Sequence, residues 1–178
     1  MNLGSTAVSL GGITLGTIIV VLVGVRWYKK GGGGKGEDGG GRDWKQLLPF
    51  TIALAFGILA VLAAGPASAL GLITRLGLWG GDSIGTLYLV YGVGGTSPDV
   101  TRAAPVILTP GGNGIFAIWV AVMIALFIWS KKLPRLQTLL GILAGVLLGL
   151  SQGIAGMAAV PLASAVNAAG GWYAGVVQ

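Results

Sequence analysis

Few side chains in this sequence could carry out acid–base, nucleophilic or metal chemistry. The 178 residues include no histidine and no cysteine, which removes thiol nucleophiles, disulfides, Cys/His metal sites and histidine catalysis. Asp82 and Asp99 are far apart in the sequence, and we expect both to be solvated. A Ser–Lys pair stays formally open, although the lysines and most loop serines fall on opposite sides of the topology derived below. We therefore predict no enzyme activity, no catalytic residue, no metal ion and no cofactor.

One glycine-rich segment has some features of a phosphate-binding loop. Residues 31–38 read GGGGKGED, but no Ser or Thr follows Lys35 and no strand precedes the glycines, so the pattern is incomplete. The surrounding stretch, 26–46, carries six basic residues and three acids, and this modest excess of positive charge argues against nucleic acid as a partner. We interpret the stretch as a flexible, solvated basic linker beside the lipid headgroups. A binding site for nucleic acid or acidic lipid is the alternative.

The elements that flank this linker are apolar runs of membrane-spanning length. Only 9% of the residues are charged, 54% are hydrophobic and the mean hydropathy is +0.86, a composition that cannot cover a soluble domain with charge. A spanning helix needs about 20 apolar residues. Four runs approach or reach this length, and they predict an all-α membrane protein with about four transmembrane helices: Ala7–Val25, Leu47–Gly65, Gly114–Ser130 and Thr138–Val160.

These runs divide the chain into three predicted parts. Residues 1–25 form an N-terminal transmembrane anchor, 26–46 the cytoplasmic linker, and 47–178 a three-helix transmembrane unit. We expect the first run to be a retained anchor and not a signal peptide, because no basic residue precedes it and RWYKK follows it. The stretch from Lys45 to Ala69, which contains the second run and the ASA sequence after it, resembles an internal signal peptide, but we expect it to remain uncleaved.

The segment between the second and third runs is rich in glycine and proline. We predict a long irregular loop over 66–113, lying on the membrane surface outside the cytoplasm, with a re-entrant segment as the alternative. Within it, GTLYLVYGVGG could form a short hairpin strand and GLITRLGLWGG an interfacial helix. After the fourth run, Pro161 is expected to end or kink the helix, leaving a tail over 161–178.

The basic residues predict the orientation of the chain. Nine of the eleven lie in the linker and in the KKLPRLQ turn between the third and fourth runs. Because short cytoplasmic loops carry an excess of Lys and Arg, both segments should face the cytoplasm and both termini should lie outside. We expect the protein to lie in a bacterial cytoplasmic membrane. The residues that we expect to determine topology are Arg26, Lys29, Lys30, Lys131, Lys132 and Arg135.

Glycines recur at every fourth position of the fourth run. Residues four apart share one helix face, and a row of glycines allows another backbone to approach closely. This pattern is a glycine zipper, and the first run has a shorter version. We interpret it as an intramolecular packing face, with self-association into a ring or pore as the alternative. The predicted packing residues are Gly141, Gly145, Gly149, Gly153, Gly12 and Gly16.

The layout of the whole chain resembles small Gly/Ala-rich multi-spanning proteins of actinobacterial conjugative elements and phages. The resemblance rests on the short first helix, the segment GGGGKGEDGGGRDWKQLLPF and the alanine-rich spans that follow. It implies a membrane component of DNA transfer, virion assembly or lysis. We therefore expect a non-enzymatic structural or assembly component of a membrane complex. Its partners should be the lipid bilayer and either further copies of the chain or other membrane proteins.

Two other functions fit the composition less well. Phage holins are small, multi-spanning and oligomeric, but many end in a charged tail, whereas this chain ends in GGWYAGVVQ. A transporter subunit usually carries ionisable residues within its spans, and none falls inside the four runs.

Overall fold

The computed structural model describes residues 8–31, 44–63, 68–100, 108–130, 134–151 and 157–177. Within these ranges the chain forms six α-helices and two short paired strands. The all-α fold class is confirmed in this coarse form. The strands are Val8–Ser9 (β1) and Asp99–Val100 (β2). The helices are Leu10–Gly31 (α1), Leu48–Ala63 (α2), Ala69–Leu87 (α3), Pro110–Trp129 (α4), Arg135–Gly149 (α5) and Ala159–Val177 (α6).

Side-chain caps fix the starts of several helices. The Ser68 hydroxyl accepts a hydrogen bond of 2.9 Å from Gly71 N at the start of α3. Thr109 accepts one of 3.1 Å from Gly112 N at the start of α4. Such caps satisfy backbone donors that have no partner inside the helix. Pro110 follows Thr109 at the first helical position, where its missing N–H leaves no bond unmade.

The α2 and α5 helices form the most extensive interhelical contact in the described part of the chain. They run parallel, because Gly141 lies against Phe50 and Gly149, two turns later, lies against Ile58. A parallel pair requires the chain to cross from one end of the bundle to the other between them. The intervening α4 helix is long enough to make that crossing.

The other helices flank this central pair on two sides. On one side, α1 packs on α3 and α5, and on the other, α4 packs on α6. Between α2, α4 and α6 lies an aromatic cluster in which the rings of Phe56 and Phe116 stack with centroids 5.4 Å apart and Trp119 meets both edge-on. A second cluster joins Val61, Leu78 and Leu147 from three different helices.

The prediction of an irregular loop over 66–113 is wrong for its first part, where the helix considered for GLITRLGLWGG is present and extends beyond that segment. Residues 69–87 form α3, and a π-helical turn, Tyr88–Gly92, continues it. The buried residues of α3 recur at spacings of three and four, which place them on one helix face. Glycines that predicted a loop therefore serve as contact positions of a helix. The buried positions are Gly71, Thr74, Leu78, Gly81 and Gly85.

The predicted fourth run is divided in the structure. The α5 helix ends at Gly149, and Leu150 adopts a turn conformation. A further helix, α6, begins at Ala159 and contains Pro161 in its first turn. Proline is tolerated there because the first N–H groups of a helix have no intrahelical acceptor. The expectation that Pro161 ends or kinks a helix is therefore wrong, and most of the predicted tail is helical.

The central part of the glycine-rich linker, 32–43, lies outside the described residues, so its predicted role as a flexible tether stays a prediction. On its two sides, α1 extends to Gly31 and a 3-10 turn, Trp44–Gln46, precedes α2. Two described helical segments, Leu10–Lys29 and Pro110–Trp129, are long and apolar enough to cross a membrane. The α2 and α5 helices are apolar but shorter, with 16 and 15 residues.

Candidate functional site

The predicted glycine face of α5 lies against α2. A side chain at Gly141 would begin 2.7 Å from the carbonyl oxygen of Phe50, and one at Gly145 would collide with the carbonyl of Leu54. At Gly149 the nearest atom would be Ile58 Cα, at 3.1 Å. The close contact is therefore made within one chain. Gly153, the fourth predicted glycine, lies outside the described residues.

The α2 helix supplies a glycine of its own to this contact. A side chain at Gly57 would begin 3.0 Å from Gly145 Cα and would collide with the Ile142 carbonyl. The two backbones therefore touch where Gly57 and Gly145 face each other. Gly57 was not among the predicted packing residues, because a single glycine in an apolar run has no periodic signal.

The two predicted glycines of α1 have different partners. Gly16 lies against Leu148 of α5, with Leu148 Cγ 3.0 Å from the position of a Cβ. Gly12 lies against Asp82 of α3, whose Oδ1 would be 2.5 Å from that position. One turn farther along α3, Gly85 meets the backbone of Gly11. Small residues on both helices thus allow α1 and α3 to come into backbone contact.

Asp82 belongs to a polar cluster at this crossing, which sequence reasoning missed. Its Oδ1 accepts a hydrogen bond of 2.7 Å from Ser9 N. The Ser9 hydroxyl lies 2.9 Å from the Thr86 hydroxyl, and Thr86 lies 3.1 Å from the hydroxyl of Ser97. The expectation that Asp82 is merely solvated is therefore wrong. The apolar context of the chain gave no sign that a loop acid would bond to the first helix.

The polar cluster satisfies the first backbone donors of α1. Leu10 N donates to the carbonyl of Pro98 at 2.8 Å, Gly11 N to the Ser97 hydroxyl at 3.0 Å, and Gly12 N to the Ser9 hydroxyl at 3.1 Å. The Asp82 carboxylate also lies at the end of α1 where the helix dipole favours a negative charge. These hydrogen bonds attach the start of α1 to α3 and β2. It presents no open nucleophile.

A second polar contact joins α4 to α6. The Asn167 side-chain oxygen accepts hydrogen bonds from Thr109 N at 2.8 Å and from the Thr109 hydroxyl at 3.1 Å. Beside it, a side chain at Gly111 would begin 2.6 Å from the carbonyl oxygen of Gly170. This is a further glycine-to-glycine backbone contact, again between two helices of the same chain.

Several basic residues meet at the opposite end of α1. Arg26 and Lys45 line one cleft together with Pro134 and Gln137, so the structure brings the end of α1, the start of α2 and the start of α5 together. Lys29 lines an adjoining groove with Arg26. Arg135 is exposed at the start of α5. Of the other predicted topology residues, Lys30 lies in the last turn of α1, and Lys131 and Lys132 lie outside the described residues.

Two tryptophans lie beside this basic cleft. The Trp27 and Trp44 rings have centroids 5.0 Å apart and are tilted by 50°. Trp27 belongs to α1 and Trp44 to the 3-10 turn before α2, so this contact joins the two sides of the glycine-rich linker. Elsewhere in the described ranges, the acidic side chains form no group of three that could hold a metal ion.

Comparison with protein-family models, with curated proteins and with solved structures gives no match.

Proposed function

We propose that this chain is a multi-spanning integral membrane protein that acts as a structural or assembly component of a membrane complex. The observation that carries this proposal is the apolar outer surface of the two helices that are long enough to span. Leu22 on α1 is 62% exposed, and Ile128 and Trp129 on α4 are 69% and 82% exposed. Water-soluble proteins rarely expose such continuous apolar surface, whereas lipid tails accommodate it.

The way in which the helices pack supports the same proposal. Helices in a bilayer gain no hydrophobic free energy from meeting each other, so they associate through close van der Waals contact at small residues. Backbone contacts at Gly57–Gly145, Gly11–Gly85 and Gly111–Gly170 are of this kind.

The finer proposal is a four-span topology with both termini outside. A helix of 15 residues is about 22 Å long at a rise of ~1.5 Å per residue, less than the ~30 Å hydrocarbon core. Irregular backbone at that depth is tolerated where protein surrounds it, and the last six residues of α5, Ala144 to Gly149, are buried, as is Leu150 after them. The central pair α2 and α5 would therefore span between the helices that flank it on two sides.

We also propose the setting and the partners. The compositional resemblance favours a DNA-transfer or phage system, in which the chain would contact copies of itself or other membrane proteins. Because α2 covers Gly141, Gly145 and Gly149, such partners would meet another surface. The exposed apolar side chains of α4 supply one, including Ile118, Val122 and Ile128.

Extraction and reconstitution of the full chain test this proposal. We expect the protein to stay in the membrane pellet after alkaline carbonate washing, to require detergent for release, and to float with liposomes after reconstitution. Release by carbonate alone would contradict membrane integration. In the same liposomes, retention of a trapped dye at high protein density supports an assembly component, whereas dye leakage supports the oligomeric pore-former.

A further inference from the structure

The basic end of the bundle contains two clefts that share Val23 and Arg26 as lining residues, one lined by charged and polar side chains and the other mainly by apolar ones, and the two are together called the cavity. The charged part is a cleft of about 360 Å³ whose polar lining includes Arg26, Lys45, Gln46 and Gln137. A water molecule occupies about 30 Å³ of liquid volume, so the cleft is large enough for a polar group much bigger than a single ion. Donors from three segments of the chain meet here, and the lining residues in the described part of the chain include no acid.

The apolar part is a groove that adjoins this cleft. Leu22, Val23 and Val25 of α1 and Leu140 of α5 line it, with Arg26 and Lys29 at its charged end. Val23 and Arg26 line both the groove and the cleft. A ligand with an anionic head and a hydrocarbon chain would therefore meet complementary surface along its whole length.

The tryptophans place this cavity at a defined depth. Trp and Tyr side chains are enriched at the level of the lipid headgroups, and Trp27, whose ring contacts that of Trp44, lines the cleft. In the membrane orientation proposed above, the basic cleft lies at the headgroup level of the inner leaflet and the groove extends toward the hydrocarbon core.

From this arrangement we propose that the cavity is a binding site for an anionic glycerophospholipid of the inner leaflet. The lipid phosphate lies between Arg26 and Lys45, where cationic donors form charge-assisted hydrogen bonds with phosphate oxygens. Gln46 and Gln137 donate to the remaining headgroup oxygens. One acyl chain lies in the groove against Val23 and Leu140. The inference rests on the membrane integration proposed above.

A native mass-spectrometry titration of the full chain in neutral detergent tests the site. The probes are dioleoylphosphatidylglycerol, which is anionic, dioleoylphosphatidylcholine, which has no net charge, and glycerol 3-phosphate, which has the phosphate without acyl chains. We expect phosphatidylglycerol to bind at one saturable site, at least about tenfold more tightly than either of the other probes. Equal binding of the two lipids would overturn the proposal. So would glycerol 3-phosphate binding as tightly as phosphatidylglycerol, since that would identify a phosphate site without lipid.

Two variants locate the site, and one control matches the charge change. Arg26→Gln combined with Lys45→Gln should weaken phosphatidylglycerol binding about tenfold, since two charge-assisted contacts are lost. Leu140→Trp fills the groove without changing the charge, and it should weaken lipid binding while leaving glycerol 3-phosphate binding unchanged. Arg75→Gln combined with Arg102→Gln removes two charges from other segments and should leave the affinity within about twofold. If the double Gln variant does not fold, Leu140→Trp alone decides.

Unchanged lipid affinity in the folded variants would overturn the site. Failure of this inference can be told apart from failure of the membrane proposal. A chain that stays dispersed in buffer without detergent refutes membrane integration. A chain that needs detergent but shows no preference for phosphatidylglycerol refutes the lipid site alone.

Discussion

At the scale of single residues, the α2–α5 contact depends on glycines, which have no side chain to keep the two backbones apart. Gly57 and Gly145 face each other. A Cβ added to either glycine would lie 3.0 Å from the Cα of the other. A methyl group there meets backbone atoms, which cannot rotate away as a side chain can. Glycine lowers the intrinsic stability of a helix interior by about 1 kcal/mol relative to alanine, so the close contact must offset that loss.

Gly145→Ala is therefore expected to destabilise the protein although alanine is the better helix former. Overpacking of a tight contact costs about 1–3 kcal/mol. Gly24→Ala is the matched control, because a Cβ at Gly24 meets no atom within 4 Å, and it should be neutral or stabilising by up to about 1 kcal/mol. Unfolding of both variants in detergent, followed by circular dichroism, gives the comparison. Equal stability of the two variants would show that the α5 glycines make no tight contact.

The Asp82 carboxylate gives a second residue-scale prediction. Asp82→Ala removes the acceptor of Ser9 N, and leaving a partly buried donor unsatisfied costs about 1–3 kcal/mol. Asp82→Asn keeps a carbonyl oxygen at this position and should lose less. Asp99→Ala is the control, since Asp99 pairs with Ser9 only through the β1–β2 backbone register.

Hydrogen exchange locates the effect of these variants. We expect the amides of residues 9–12 to exchange faster in Asp82→Ala than in Asp99→Ala, while the amides of α4 keep their protection. Equal protection of residues 9–12 in both variants would mean that the carboxylate does not hold the start of α1.

At the scale of helices, run length allowed α1, α2 and α4 to be predicted from the sequence, because a long charge-free segment has few alternatives to a helix in lipid. The α3 helix was anticipated only as an interfacial segment within a loop, because its many glycines favour a loop, whereas the packing partners of Gly81 and Gly85 come from distant parts of the chain. The four-residue glycine spacing indicated the packing face of α5. It carried no information about the opposing Gly57, since a partner face is set by tertiary structure.

Pro161 allows the start of α6 to be tested. Because Pro161 lies in the first turn, Pro161→Ala should change the free energy of unfolding by no more than about 0.5 kcal/mol. Ala165 is also exposed but lies inside the helix, and Ala165→Pro should cost about 3 kcal/mol. Thermal unfolding in detergent measures both. Strong destabilisation by Pro161→Ala would mean that the proline itself fixes the end of a helix.

At the scale of the whole molecule, charge and polar attachment lie at opposite ends of α1. Arg26 and Lys29 lie near its last turn, and the cluster around Asp82 surrounds its first turn. The basic cleft also includes Lys45 from before α2 and Pro134 from before α5. Three chain segments that the positive-inside pattern places in the cytoplasm are therefore neighbours in the fold, which makes a single orientation of the bundle self-consistent.

Single-cysteine labelling tests that orientation, and the chain suits it because it contains no native cysteine. Gln46 lines the basic cleft, Gly95 lies two residues before Ser97 of the polar cluster, and Gly171 follows the Gly170 contact; all three are exposed. We expect Gln46→Cys to react with a membrane-impermeant maleimide only from the cytoplasmic side. Gly95→Cys and Gly171→Cys should react only from the other side, because both lie away from the basic segments that favour the cytoplasm.

Detergent solubilisation, after which all three must react, is the control for accessibility. Labelling of Gln46→Cys and Gly95→Cys from the same side would rule out the four-span arrangement, in which α2 makes the single crossing between these two residues.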